Sequence, residues 1–446
     1  MAELPPDEVI AQAVARVASP TFDRWITLVH AAGCCARPVR LAGTITAVDR
    51  ATGEARVTYS TAAEPGRVLL KACQTRRATR CPACAAVYQG DARALVIAGL
   101  AGGKGVPESV AGHPTVFATF TAPSFGAVHR ADPSGRPCHP GAGCRCPQRR
   151  LIGCSVVHRS DDPVVGTPIC IDCYDYEGTV IWNARATELW ARTCNGIRRA
   201  LARTLAMSVR QFAEDYRLSF AKVVEYQRRG VIHLHAVVRL DQRDGETPAI
   251  DAARLVAAVR VAAERAKAPN PLRAAQPIVW GRQVDVEVVD NEGRRAAANY
   301  LAKYATKSSD DAGALDRRLH HGDTSRLQLP DHLRRLVDTA WELGGRLELA
   351  PLNLHLWAHT LGYRGHWLTK SRHWSTTFAA LRDARHIWRQ DHERGDGDGS
   401  TGDETVAIAD WAYTGMGYRT DGDAWLAWST ASNKRLNRRT AWEERS

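Results

Sequence analysis

A chain of 446 residues, 44% of them hydrophobic, has room for two or three domains with sizeable cores. Its formal charge of +12 makes a polyanion the expected partner. No apolar run reaches the roughly 20 residues that span a bilayer, and the acidic start Met1-Ala-Glu-Leu-Pro-Pro-Asp-Glu8 lacks the features of a signal peptide, so a cytoplasmic, reducing setting is expected, with no membrane partner.

Residues 1–30 read as one short amphipathic helix. Strands follow over Val39–Val48 and Glu54–Thr61. All 12 cysteines lie between Cys34 and Cys194, which in a reducing compartment favours zinc over disulfides. Cys81-x-x-Cys84 has the spacing that lets two thiolates reach one tetrahedral ion, with Cys73 as third ligand and Cys35 as fourth, Cys34 in reserve. Buried free thiols are the alternative. An apolar helix from Asp91 then runs to the Gly102-Gly-Lys-Gly105 turn, closing a zinc-ribbon-like region over 1–112.

Val116–Ala122 alternates as a strand, with Val116, Ala118 and Phe120 on one face and Phe117, Thr119 and Thr121 on the other; Pro123 ends it. Thr119 and Thr121 are candidate contacts to a DNA backbone. Residues 129–175 form a Cys/His-rich insertion with few large apolar residues, which suits structural zinc. Cys170 and Cys173 make half of a second site. Cys146 and Cys154 supply the other half, with His158 able to substitute, while Cys138 and Cys144 leave the choice open. About two zinc ions per chain are expected.

Asn183–Gln211 is helical by pattern. Val223–Arg239 then reads as two strands joined at Arg228-Arg229-Gly230, where Gly supplies the positive φ that ends a three-residue hairpin loop. That turn puts Glu225 opposite His233 and Val223 opposite His235. Residues two apart share a face, so His233, His235 and Glu225 point the same way and can hold one divalent metal with open positions. A helix over Asp251–Lys267 and a strand over Val284–Asp290 follow, with Val284, Val286 and Val288 facing the core. This order fits an α+β sandwich whose antiparallel sheet is covered on one side.

In Asn299-Tyr-Leu-Ala-Lys-Tyr-Ala-Thr-Lys307, Tyr300 and Tyr304 share a helix face, and Lys303 and Lys307 form a parallel pair beside them. Two phenols flanked by two ammoniums suit attack on a phosphodiester; a core helix with aromatic spacing is the alternative. Residues 308–323 are turn-like. Leu327–Leu347 and Asn353–Leu361 read as helices. Within 311–390, Arg364, Lys370 and Arg372 alternate with Trp367, Trp374 and Trp388, a pattern that can clamp phosphates and stack on bases. A basic helix with buried tryptophans is the competing reading. Residues 391–404 read as a flexible linker, and the tail to Ser446 as a tryptophan-containing stretch and a basic helix.

The His233-Leu-His235 strand followed by the Tyr300-Leu-Ala-Lys-Tyr304 helix resembles the HUH endonuclease superfamily. The tyrosine motif is similar to that of rolling-circle replication initiators. Phe117-Ala-Thr-Phe-Thr-Ala-Pro123 looks like their upstream motif, and Leu361–Arg382 looks like the replication initiators of actinobacterial integrative plasmids. The resemblance spans about residues 30–430. It implies an α+β HUH palm of RRM or ferredoxin-like type over 113–310, with zinc-binding N-terminal and inserted segments and a helical C-terminal region. It implies a nicking-joining endonuclease in which His233, His235 and Glu225 hold Mg²⁺ or Mn²⁺. Tyr304, assisted by Lys303, would be the first nucleophile, with Tyr300 as its partner. Many plasmid relatives carry Glu at the place of Tyr300. The implied partner is plasmid origin DNA, a single-stranded nick site beside duplex. With no Walker-type motif in the chain, unwinding falls to a host helicase. A relaxase or transposase would use the same chemistry, although relaxases commonly place the tyrosine before the His motif. A non-catalytic zinc-ribbon regulator would need no tyrosine pair.

Overall fold

The computed structural model describes residues 5–140, 145–146, 149, 152–307, 318–320, 322–326, 329–394 and 405–443. In chain order its elements are helices α1 (Asp7–Val17) and α2 (Phe22–Ala31), strands β1 (Val39–Asp49), β2 (Ala55–Ser60) and β3 (Leu69–Lys71), helix α3 (Pro82–Ala101), strand β4 (Thr115–Phe120), helices α4 (Tyr176–Thr204) and α5 (Val209–Asp215), strands β5 (Tyr216–Tyr226) and β6 (Ile232–Gln242), helix α6 (Ala252–Arg265), strand β7 (Val284–Val288), helices α7 (Gly293–Lys307), α8 (Asp323–Arg326) and α9 (Asp331–Gly344), strand β8 (Leu368–Lys370), helix α10 (Phe378–Arg394), strand β9 (Thr405–Met416) and helix α11 (Asp421–Glu443). Among the described residues no helix is long and apolar enough to cross a membrane.

The chain forms two compact units, Met1–Gly90 with Ala379–Ser446, and Asp91–Phe378. This differs from the consecutive segments expected at 1–112, 113–310, 311–390 and 391–446. In the first unit β1 pairs antiparallel with β9 along its whole length, from Val39 opposite Met416 to Asp49 opposite Thr405. β2 and β3 share the other edge of β1. The stretch read as a tail thus closes an N-terminal sheet. Residues 395–404 of the expected linker lie outside the described residues. The single N-terminal helix is two, because Pro20 cannot continue α1 and the chain turns before α2. Trp25, Leu28 and Val29 of α2 pack with Val68, Leu70 and Ala427 into a small core.

The second unit is built on a five-stranded antiparallel sheet in the order β7-β4-β6-β5-β8. One face supplies Val116, Ala118, Phe120, Leu218, Val224, Leu234, Ala236 and Val238 to a core completed by Ile181, Leu189, Ile197 and Leu201 of α4 and Leu255 and Val259 of α6. Phe120 anchors it, with Trp190 at 5.6 Å and Trp280 at 4.9 Å between ring centroids. Asp175 caps α4 by accepting from the Gly178 N–H at 2.9 Å. The helix expected over 183–211 breaks at Ala206, whose φ is +53°, and Ser208 and Gln211 restart it as α5 with a reciprocal capping box. Val288 does not face the core. It ends an edge strand and is 53% exposed. The sheet's other face is not open throughout, since α7 lies across β5 and β6 there.

Candidate functional site

The β5–β6 hairpin carries the site. Its register sets Glu225 opposite His233 and Val223 opposite His235, as the turn geometry requires. Gly230 takes φ +79°, and the Gln227 N–H donates to the Val231 carbonyl at 2.9 Å to close the loop. The buried Asn183 of α4 fixes that turn. Its amide donates to the carbonyls of Gly230 and Leu361, both at 2.9 Å, and its oxygen accepts from the Ile232 N–H at 3.1 Å. Arg229 donates to the carbonyls of Pro123 at 3.1 Å and Ala122 at 3.3 Å, tying the turn to the end of β4.

Glu225, His233 and His235 bring ligand atoms within 4.8 Å of one another. The Glu225 Oε2 lies 3.4 Å from His235 Nε2. Two imidazoles and a carboxylate can hold one divalent ion and leave positions open. Burial first, then the neighbouring His235, pushes His233 down to about 4, so its ring is neutral near pH 7 as a ligand must be.

Thr119 and Thr121, the candidate contacts to a DNA backbone, lie beside the two histidines. The Thr119 hydroxyl is 3.1 Å from His235 Nδ1, and the Thr121 hydroxyl is 3.1 Å from His233 Nε2. β4 pairs with β6 so that Thr119 falls opposite His235. Both threonines therefore orient the imidazoles. For His235 the bond to Nδ1 leaves Nε2 facing Glu225. Phe117 of the same strand packs on His235 at 6.0 Å and meets Tyr300 edge-on at 5.4 Å, a role the sequence reading did not assign.

Helix α7 sets Tyr300 and Tyr304 over this face, their ring centroids 4.5 Å apart. The Tyr300 hydroxyl reaches 3.4 Å from His235 Nε2, and the Tyr304 ring lies 5.6 Å from the His235 ring. Leu301 and Ala305 of α7 are fully buried. Burial, then the neighbouring Tyr304, raises Tyr300 well above the ordinary phenol value. The Lys303 ammonium sits 5.5 Å from the Tyr304 ring centroid. Lys307 ends α7, and its side chain lies outside the described residues.

The expected basic-aromatic surface is only partly present. Trp374 is fully buried, with the Arg239 guanidinium 5.0 Å from its ring. Trp367 packs on Tyr226 at 5.2 Å. Buried Trp374 is thus closed to base stacking, while Trp367 is half-buried. The Trp388 side chain lies outside the described residues. Lys370 turns its ammonium into backbone carbonyls, including Ser375 at 2.8 Å, and so organises its own loop. Arg364 is bound to the Pro351 carbonyl at 3.1 Å, and Arg372 is exposed.

The cysteines sort into groups. Cys35, Cys73, Cys81 and Cys84 converge in the first unit, with Cys81 to Cys35 at 3.8 Å and Cys73 to Cys84 at 3.7 Å between sulfurs. Four thiolates around a tetrahedral zinc stand about 3.8 Å apart, so the set fits that ion. The Ala36 N–H donates to Cys81 at 3.2 Å and the Cys73 N–H to Cys35 at 3.3 Å, which favours thiolates. Cys34 takes no part in that group. The second expected set, Cys146, Cys154, Cys170 and Cys173, is divided. Cys146, Cys170 and Cys173 converge, while Cys154 joins His129, Cys138 and His158. Cys144 lies outside the described residues. Cys194 is buried in α4 among apolar side chains and belongs to none of these groups.

Residues 21–432 match the family described as Replication initiator protein, pSAM2, and the chain belongs to that family. It is similar to a "Replication initiator protein" of Streptomyces ambofaciens, 42% identical over 450 residues that cover 96% of this chain and 94% of that one. No solved structure matches.

Proposed function

We propose that this replication initiator acts as a metal-dependent nicking-joining enzyme of the HUH type on single-stranded DNA at a plasmid origin. The observation that carries the reading is the meeting of His233, His235 and Glu225 with two phenols on one helix across the same sheet face. The β4-α4-β5-β6-α6-β7 succession supports a ferredoxin-like palm beneath that site.

A Mg²⁺ or Mn²⁺ held by His233, His235 and Glu225 would draw charge from the scissile phosphate. The chain's own groups do the rest. The Tyr304 oxygen attacks phosphorus, the bond from phosphorus to the 3′ oxygen breaks, and the phenol's proton ends on the freed 3′-hydroxyl. The 5′ phosphate stays on the tyrosine. Lys303, beside the Tyr304 ring, offsets the phosphate charge. Tyr300 waits protonated beside His235, as its raised pKa favours, and serves as acceptor for the second strand transfer. The 3′-hydroxyl would prime synthesis. Zinc at Cys35, Cys73, Cys81 and Cys84, and at Cys146, Cys170 and Cys173, would be structural.

The test is a covalent adduct. A single-stranded origin oligonucleotide labelled 3′ of the nick should remain on the denatured protein when Mn²⁺ is present. Tyr304→Phe should remove most of that label, and Tyr300→Phe should still nick but fail to rejoin. Cleavage without an adduct on either tyrosine would mean that water is the nucleophile, and the proposal would fall.

A further inference from the structure

We infer that the insertion between β4 and α4 holds a separate Cys₂His₂ zinc centre, formed by His129, Cys138, Cys154 and His158, which braces the turn of the site hairpin. The four ligand atoms lie within 4.8 Å of one another. His129 Nδ1 to His158 Nε2 is 3.3 Å, Cys154 Sγ to His158 Nε2 is 3.2 Å, and Cys138 Sγ to His129 Nδ1 is 3.9 Å. A tetrahedron with Zn–S near 2.3 Å and Zn–N near 2.0–2.1 Å places two nitrogens about 3.3 Å apart and a sulfur and a nitrogen about 3.6 Å apart. The observed set straddles those values without rearrangement.

The surroundings are those of a metal site. His158 Nδ1 pairs with Asp162 Oδ2 at 2.8 Å, which fixes the ring and leaves Nε2 to the centre. The Arg130 N–H donates to Cys138 Sγ at 3.1 Å, as amides do to a bound thiolate. The ligands come from extended segments held by short bridges, His139 with Cys154 and Ala131 with His158. His139 Nδ1 adjoins Cys138 at 3.2 Å but is not one of the four convergent ligands. Val156 and Val157 of this insertion are 54% and 50% exposed, so these apolar side chains do little to hold it. A metal cross-link supplies what burial does not.

The centre also connects to the hairpin. Arg228 of the turn donates to the carbonyls of Asp162 at 2.8 Å and Val165 at 3.3 Å. Asp162 therefore holds His158 with its side chain and Arg228 with its backbone. Loading the centre orders the loop that receives Arg228.

The experiment is zinc content of the purified full-length chain by mass spectrometry, wild type against His129→Ala and Cys154→Ser. Each variant should carry one zinc fewer per chain than wild type, whatever the wild-type total. Asp162→Asn keeps all four ligands. It should retain the zinc but release one equivalent at a roughly 10- to 100-fold lower chelator concentration. Amide exchange at residues 228–232 should quicken when that equivalent is withdrawn. Unchanged zinc in both ligand variants, or an Asp162→Asn chain titrating as wild type, would overturn the centre. Unchanged exchange at the turn would overturn its bracing role. None of these readouts depends on nicking, so loss of the adduct and loss of this zinc are separate outcomes.

Discussion

Thr119→Val tests whether the threonines of β4 orient the metal ligands or touch DNA. The substitution keeps the β-branched shape that suits a strand and removes only the hydroxyl 3.1 Å from His235 Nδ1. His235 is 2% exposed, so water cannot replace the missing partner. Leaving a buried polar atom unpaired costs about 1–3 kcal/mol. At about 1.4 kcal/mol per decade that is roughly 5- to 150-fold in affinity, which brackets the roughly 10- to 100-fold loss usual when the outer partner of a ligating histidine is removed. The Mn²⁺ midpoint, read by calorimetry on the full chain and by nicking of a single-stranded origin oligonucleotide, should rise by about that factor. At saturating Mn²⁺ the rate should return close to wild type. Refutation would be an unmoved midpoint together with weaker DNA binding at every Mn²⁺ concentration, because the hydroxyl would then be a phosphate contact.

Two further changes probe the frame of the site. Asn183→Ala strands the Ile232 N–H and the carbonyls of Gly230 and Leu361, and should cost about 3 kcal/mol or more in urea unfolding at pH 7. Asp241 takes a bond from Ser219 at 2.5 Å and pairs with Arg239 and His113 on the α7 side of the sheet, so Asp241→Asn should cost about 3 kcal/mol at pH 7. Burial works to raise the Asp241 carboxyl, but bonds from His113 and Arg239 outweigh it and hold the group at about 2, below the usual 3.8. A depressed carboxylate contributes stability above its unfolded pKa, so the gap between wild type and variant should shrink as pH falls from about 3.8 towards 2; a gap constant with pH would exclude the network.

The hairpin was readable because its information is local. A turn glycine, a two-residue period and the spacing of Glu225 from His233 are enough to fix a register, and the structure has that register. The tyrosine face was readable for the same reason, since helical spacing alone places Tyr300 beside Tyr304. What could not be read depends on partners far along the chain. Val406, Ile408, Trp411 and Tyr413 suit a strand, but nothing near them in sequence indicates pairing with β1. The ligands of the insertion are a similar case. Cys146 and Cys154 are close in sequence and part company in space, and His129 joins Cys154 through a fold with no regular period. Trp374 misled for another reason. Alternating basic and aromatic residues look alike whether the ring faces solvent or, as here, lies buried against Arg239.

The two faces of the central sheet set different demands on the same strands. On the α4 and α6 side, Val224, Leu234 and Ala236 are held by apolar burial, which tolerates small shifts. On the other side the proposed metal site asks Glu225, His233 and His235 to keep their ligand atoms within one coordination shell, where a displacement of about 1 Å matters. Packing alone does not give that precision at the end of a two-strand hairpin, where strands fray. This chain meets the demand by fastening the turn with directional bonds. Asn183 holds Gly230 and Ile232, Tyr174 donates to the Arg229 carbonyl at 2.9 Å, and Arg228 enters the insertion. That concentration of bonds supports the bracing role inferred for the Cys/His insertion, because a rigid insertion makes a rigid turn. It also accounts for the ligands lying on strands while Tyr300 and Tyr304 ride on a helix. In the proposed mechanism the ligands need fixed geometry, and successive strand transfers need two phenols that reach one point in turn.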